Sequence, residues 1–457
     1  MPTPSLVNIP FITAPNVLFS QIPESGAGDF TVTRATTPDA GRSTRVNAAG
    51  LIELVPDNIA RLDYPLGGGC PALLVEPSAR NDCFQSQGFS TSPWIAAGVS
   101  AVSTALTNSP DGTQNAFDVT ISNTGFSNLR QTIACANNTT YTISCFYKNK
   151  ALTAGQTFEM RYTNENIAPN NLNAIATIDL AAGTASYNLT GTAGTGFSGT
   201  ATGRVENYGN GWYRISMTFT TGSAGANASG IFRPVVGISI ARNFFAWGAQ
   251  METSSVPTSY IPTTTAAVTR SAEQIRRANV SSLIGQTEGT IYLEVEAPTA
   301  TNDVVAIQRQ TLGTSLASGD YIMLQKTPTN LYRFVVAVGG SLSFTITQSA
   351  PPTTSFVKIA MAYRGTSSAS SAFFINGTQV GSDNTTTFSF PPSIQNIEFV
   401  GNQLVGAQTI RIRAFTLYPT RLSNVDLVNI TAPAGSFWWG INMPTKLWGT
   451  ATNEIWG

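Results

Sequence analysis

Trp212-Tyr-Arg-Ile-Ser-Met-Thr-Phe-Thr220 is the stretch that decides the fold class. Tyr213, Ile215, Met217 and Phe219 alternate with Arg214, Ser216 and Thr218. A period of two puts apolar side chains on one face of a strand and polar ones on the other. Phe158, Met160 and Tyr162 alternate in the same way with Glu159 and Arg161. Tyr141-Thr-Ile-Ser-Cys-Phe-Tyr147 reads as a further strand, with Tyr141, Ile143, Cys145 and Tyr147 sharing a face. Asn210-Gly211 stands just before Trp212, and Asn376-Gly377 separates Phe373-Phe-Ile375 from Thr378-Gln-Val380. Both dipeptides suit the positive φ of hairpin turns. Helical spacing is scarce; its best instance is Ser423-Asn-Val-Asp-Leu-Val-Asn429, with Ser423 and Asp426 at capping-box spacing. These signals predict an all-β chain.

Composition points the same way. Hydrophobic residues make up 42% of the chain, enough for folded cores, while charged residues reach only 11%, less than half the usual share. Gly (40) and Pro (25) supply the turns that many short strands need. Formal net charge is zero, and Arg276-Arg277 is the only basic doublet, which argues against nucleic acid as a partner. No segment has the roughly 18 apolar residues of a membrane-spanning helix, and Met1 to Thr33 lacks the basic residues of a secretory leader. An extracellular type of composition without an export signal fits a virion component, made in the cytoplasm and released by lysis. Cys70, Cys83, Cys135 and Cys145 show no metal-like spacing. Buried free thiols are the simpler reading, and a Cys70–Cys83 disulfide stays open.

A chain of 457 residues exceeds one core, so several domains are expected. Breaks in the pattern place an N-terminal unit rich in Pro, Gly and Arg over 1–84 and a strand-dense domain over 85–265. A linker follows over 266–279, then a second strand-dense domain over 280–432 and an aromatic tail over 433–457.

Several motifs resemble a family of bacteriophage and prophage head-spike or tail-fibre proteins. They are Phe30-Thr-Val-Thr-Arg34, Thr44-Arg45-Val-Asn-Ala-Ala-Gly50-Leu-Ile-Glu53, Asn58-Ile-Ala-Arg61-Leu-Asp63-Tyr64 and Leu73-Leu-Val-Glu76-Pro77, followed by Asn81 and Phe89 to Trp94. Ser78-Ala-Arg80-Asn81 departs from the family by one residue. Tyr141-Thr-Ile-Ser144, Gly211-Trp-Tyr-Arg214, Phe245-Ala-Trp247-Gly-Ala-Gln250-Met-Glu252 and Ser259-Tyr-Ile-Pro262 are similar to a jelly roll of the carbohydrate-binding-module type. Glu288-Gly-Thr-Ile-Tyr-Leu-Glu294, Lys358-Ile-Ala-Met-Ala-Tyr363, Ile375-Asn-Gly377 and Leu417-Tyr-Pro-Thr-Arg421-Leu-Ser423 are similar to laminin-G or concanavalin-like sandwiches. The resemblance implies an N-terminal attachment module followed by two antiparallel β-sandwiches. It also implies a structural virion subunit, a head fibre or spike in first place and a tail fibre or receptor-binding protein as the alternative. Homotrimers, contacts with capsid or tail-adaptor proteins, and adhesion to host-surface glycan come with it.

No catalytic residue is expected. The chain has no histidine, so Ser-His and Cys-His nucleophiles are excluded. Glycoside hydrolysis needs only two carboxylates. Glu294 and Glu296 share a strand face, as in concanavalin-like glucanases, but those enzymes carry a third acid where Ala297-Pro298 stands here. A polysaccharide depolymerase and a bacterial surface adhesin therefore remain secondary alternatives. Trp94, Trp212, Tyr213 and Trp247 are candidates either for stacking on sugars or for filling a core. No cofactor is expected; a structural Ca²⁺ is a candidate, with Asp111, Asp118 and Glu252 as oxygen donors and no dense ligand loop around them. Trp438, Trp439, Trp448 and Trp456 make the tail either an anchor to other subunits or a segment packed on its own domain. The extended, Pro-rich N-terminus, with Phe11 among its apolar residues, is a candidate to add to a partner's sheet edge.

Overall fold

The computed structural model describes residues 1–9, 11–34, 43–103, 106–122, 125–164, 172–190, 196–223, 230–238, 241–297, 302–308, 319–327, 329–352, 356–366, 370–390, 394–399 and 409–433. They are almost entirely antiparallel β-structure with one short helix, in two compact units. Among them no helix is long and apolar enough to cross a membrane.

The unit formed by 34–72 and 76–273 is a sandwich of two six-stranded sheets. One runs in the order Ile95–Ala97, Phe126–Thr132, Ile231–Ile238, Phe158–Asn164, Leu172–Asp179, Thr184–Thr190. The other runs Val99–Ser103, Phe117–Ile121, Arg242–Glu252, Thr140–Asn149, Trp212–Thr221, Phe197–Asn207. The chain crosses repeatedly between the two, in the manner of a jelly roll. Tyr141, Ile143, Cys145 and Tyr147 face one core with Phe158, Met160, Tyr162, Ile215, Met217 and Phe219, as their alternation predicts. Asn210 and Gly211 take φ of 51° and 79°, which closes the turn into Trp212.

The unit formed by 1–33, 73–75 and the chain from 274 onward holds most strands of two further sheets. A nine-stranded sheet begins Ile12–Ala14, Val17–Phe19, Phe30–Thr33, Gln274–Arg277, Asn396–Phe399 and ends at Ser341–Thr347. In the other, Glu288–Glu296 lies between Val357–Arg364 and Ile410–Tyr418. The helix Asn424–Thr431 is capped by Ser423, whose side chain accepts from the Asp426 N–H at 3.1 Å. Its Leu427 packs on Ala360, Ala362 and Phe374. Asn376 and Gly377 have φ of 50° and 80°, as the second hairpin requires.

The expected module over 1–84 is not one body: its pieces are shared between the two units. Leu6–Asn8 and residues 73–75 pair with Ile410–Tyr418, while Phe30–Thr33 pairs with Gln274–Arg277. The stretch expected as a linker over 266–279 also holds strands. Val268–Arg270 pairs with Ala79–Asn81, and Gln274–Arg277 lies between Phe30–Thr33 and Asn396–Phe399. In the N-terminal arm Leu6 and Phe11 are buried in this unit, while Ile12–Ala14 forms the edge of the nine-stranded sheet. Periodicity reports which residues form strands and not which distant strand they join. The aromatic tail, including Trp438, Trp439, Trp448 and Trp456, lies outside the described residues.

Candidate functional site

The tryptophans proposed as sugar platforms are core residues. Trp94 is buried and its indole N–H donates to the Gln85 carbonyl at 2.9 Å, while its edge meets the Phe89 ring. Trp212 and Trp247 belong to an apolar cluster with Phe146, Phe245 and Tyr260, roofed by Ile52 and Ala116. Their indole N–H groups donate to the Asn108 carbonyl at 2.8 Å and to Asn115 Oδ1 at 2.7 Å. Neither offers a free face. Tyr213, half-buried, packs against the sandwich core. The physical reason is that strand aromatics with one polar tip fit a core edge where a carbonyl or amide can receive that tip.

Glu294 and Glu296 sit on the outer face of their strand, with Ile291, Leu293 and Val295 buried on the other. Each carboxylate faces an arginine of the neighbouring strand, Glu294 with Arg413 at 3.5 Å and Glu296 with Arg411 at 3.4 Å. The metal candidates are engaged separately. Asp111 accepts from Thr113 and Ser109, Asp118 from Lys150 and Asn243, and Glu252 from Gln250 and Thr258. Burial raises the Glu252 carboxyl, against the pull of hydrogen bonds from Gln250 and Thr258 and the charge of Arg214. Among the described residues no three His, Cys, Asp or Glu side chains gather as a metal site.

The motif residues Arg34, Arg61 and Glu76 converge in a buried ionic network with Arg270 and Glu273. Glu273 receives Arg34 at 3.2 Å and Arg61 at 2.7 Å; Glu76 receives Arg61 at 2.8 Å and Arg270 at 3.0 Å. The Ser259 hydroxyl donates to Glu76 at 2.7 Å, and the Glu76 N–H donates to Glu273 at 2.9 Å. Burial alone would raise the Glu76 carboxyl, but the Arg270 and Arg61 charges hold it well below the usual carboxylate range. Asn81, fully buried, donates to the Ala249 and Ile261 carbonyls and accepts from the Cys83 and Met251 N–H groups. These motif positions join the 34–72 stretch to the rest of its own unit.

A different surface has the character of a binding site: the outer face of the sheet containing Phe126–Thr132, Ile231–Ile238 and Phe158–Asn164. Here the alternation that sends Phe158, Met160 and Tyr162 inward sends Glu159, Arg161 and Thr163 outward. Phe126 is 49% exposed, an unusual position for a large aromatic on a strand. The Arg161 and Arg233 guanidinium groups lie over its ring at 5.6 and 5.9 Å. Arg161 donates to Glu159, and Arg233 donates to Thr163, whose hydroxyl donates to Asn173 Oδ1 at 2.7 Å. Arg130 donates to Asn128 on the same face at 3.1 Å. Asn128, Thr163, Asn173 and Arg233 are buried, which leaves the half-buried Arg130, Glu159 and Arg161 around the exposed ring. Sequence reading overlooked Phe126 because single aromatics carry no signal; exposure became visible only with the sheet in place.

No protein-family model matches the chain, and no curated protein matches it. Solved structures give partial overlaps. The Ruminococcus gnavus IT-sialidase CBM40 bound to α2,3 sialyllactose aligns at 15% identity over 34% of this chain and 91% of that one, with a TM-score of 0.28. The binding domain of botulinum neurotoxin DC in complex with rat synaptotagmin II aligns at 12% identity over 34% and 39%, with a TM-score of 0.27. The native heptameric SAP-like pentraxin of Limulus polyphemus aligns at 9% identity over 32% and 70%, with a TM-score of 0.26.

Proposed function

We propose that this chain is a non-catalytic structural subunit of a bacteriophage particle, a head fibre or spike, that adheres to host-surface glycan. The observation that carries the binding part is the exposed Phe126 ring set among the half-buried Arg130, Glu159 and Arg161 on a jelly-roll sheet face. A pyranose offers an apolar C–H face to such a ring and hydroxyls to such neighbours. Glu294 and Glu296 each face an arginine of the neighbouring strand, so cross-strand charge pairing accounts for their place on that face. The particle assignment rests on the resemblance of the Arg34, Arg61 and Glu76 motifs. A single weak site near millimolar supplies only about −4 kcal/mol, and repetition in an oligomer raises avidity by roughly 10² to 10⁴. That arithmetic favours an oligomer, and the resemblance implies a homotrimer within the particle. A glycan array probed with wild-type and Phe126→Ala protein tests the reading. Wild-type protein retains a defined set of glycans and the variant loses them; equal retention by both rejects this face.

A further inference from the structure

The charges on this face bear on which glycans it takes, an inference that rests on the glycan-binding reading above. Arg161 and Arg233 are directly opposite each other in the register of their two strands. Like charges in that position disfavour the sheet, yet both side chains are mostly buried and turned onto the same Phe126 ring. Arg130 adds a third guanidinium from the next strand, beside Asn128. The carboxylates of the face are engaged: Glu159 with Arg161, and Asp179, at the end of Leu172–Asp179, with the Gly155 and Ala182 N–H groups. Planar guanidinium groups match a carboxylate in shape and charge better than they match a hydroxyl.

We infer that the face selects carboxylated sugars, with the acid group received by the half-buried Arg130 and the ring of the sugar lying on Phe126. Uronic and sialic acids share this chemistry, so the probes are tri-galacturonate and 3′-sialyllactose, each titrated calorimetrically beside its methyl ester. The protein used is the full chain. At least one acid binds about ten-fold or more tightly than its ester, the difference expected of a charge-assisted contact. That preference shrinks as NaCl rises from about 0.05 to about 0.5 M. Arg130→Gln removes most of the preference, with an unchanged thermal midpoint showing that it folds; Arg161→Lys, which keeps the charge but not the fork, retains less of it than wild type. Which acid binds identifies the sugar. Equal binding of acid and ester, or an unaltered preference in Arg130→Gln, overturns the acidic class and leaves glycan binding standing. Failure of every acid, ester and neutral glycan on the array overturns both.

Discussion

Replacing Glu273 by Gln removes the charge at the centre of the Arg34–Arg61–Glu76–Arg270 network without changing its size. Glu273 is 1% exposed, and its two oxygens answer two guanidinium groups and the Glu76 N–H. In the variant three buried arginines face one carboxylate, and the new amide NH₂ points a donor at donors. Breaking a buried pair in this way costs about 3–5 kcal/mol. For a unit of this size each kcal/mol shifts the midpoint by about 2–4 °C, so the transition of the 34–273 unit falls by roughly 6–20 °C. Differential scanning calorimetry of wild type, Glu273→Gln and Glu273→Gln/Arg34→Met measures it. The double variant, which removes the unanswered Arg34 charge, recovers part of the loss. A shift below about 2 °C for the single variant refutes the claim that the network holds the 34–72 stretch to the rest of its unit.

The network also sets acid behaviour. Because Glu76 is held below the usual carboxylate range, its contribution is fully present above the unfolded pKa of about 4.3 and is lost as pH falls toward the folded value. The difference in midpoint between wild type and Glu76→Gln is therefore constant from pH 7 to 5 and narrows below about pH 4; a constant difference down to pH 2 counts against the assignment. Burial raises the thiols of Cys135 and Cys145 to about 12 and Cys83 well above its ordinary value, and Cys70 alone is exposed. Ellman's reagent accordingly titrates one thiol in the native protein and four after denaturation. Trp247→Ala lowers stability by about 3–5 kcal/mol, whereas Phe126→Ala, which removes two cation–π contacts, costs about 1–2 kcal/mol in a melt and loses sugar in the array. Deleting 434–457 weakens oligomerisation or incorporation into particles; unchanged oligomer mass and full incorporation remove the anchor role.

Strands were legible in the sequence wherever one face is buried and the other wet, as at Phe158–Asn164 and Trp212–Thr221, because burial imposes a period of two. Asn210-Gly211 and Asn376-Gly377 marked turns because only a few residues accept positive φ. Pairing was not legible. Nothing local to Leu6–Asn8 names Ile410–Tyr418 as its partner, and so the N-terminal stretch looked like a separate module. The same gap explains the site. Trp212 and Trp247 drew attention by their size, but they are buried in a cluster that includes Ile52, Ala116 and Tyr260, residues distant in the chain. Phe126, Arg161 and Arg233 lie far apart in the chain and meet only through strand register.

Adsorption of particles that carry this chain tests the account most directly. Purified particles with wild-type chain and with Phe126→Ala chain are compared for the rate at which they attach to host cells, with the amount of chain per particle measured by quantitative mass spectrometry. The account predicts equal incorporation and slower attachment by the variant particles, with soluble wild-type chain competing against wild-type particles. Equal attachment at equal incorporation, or the absence of the chain from purified particles, contradicts it.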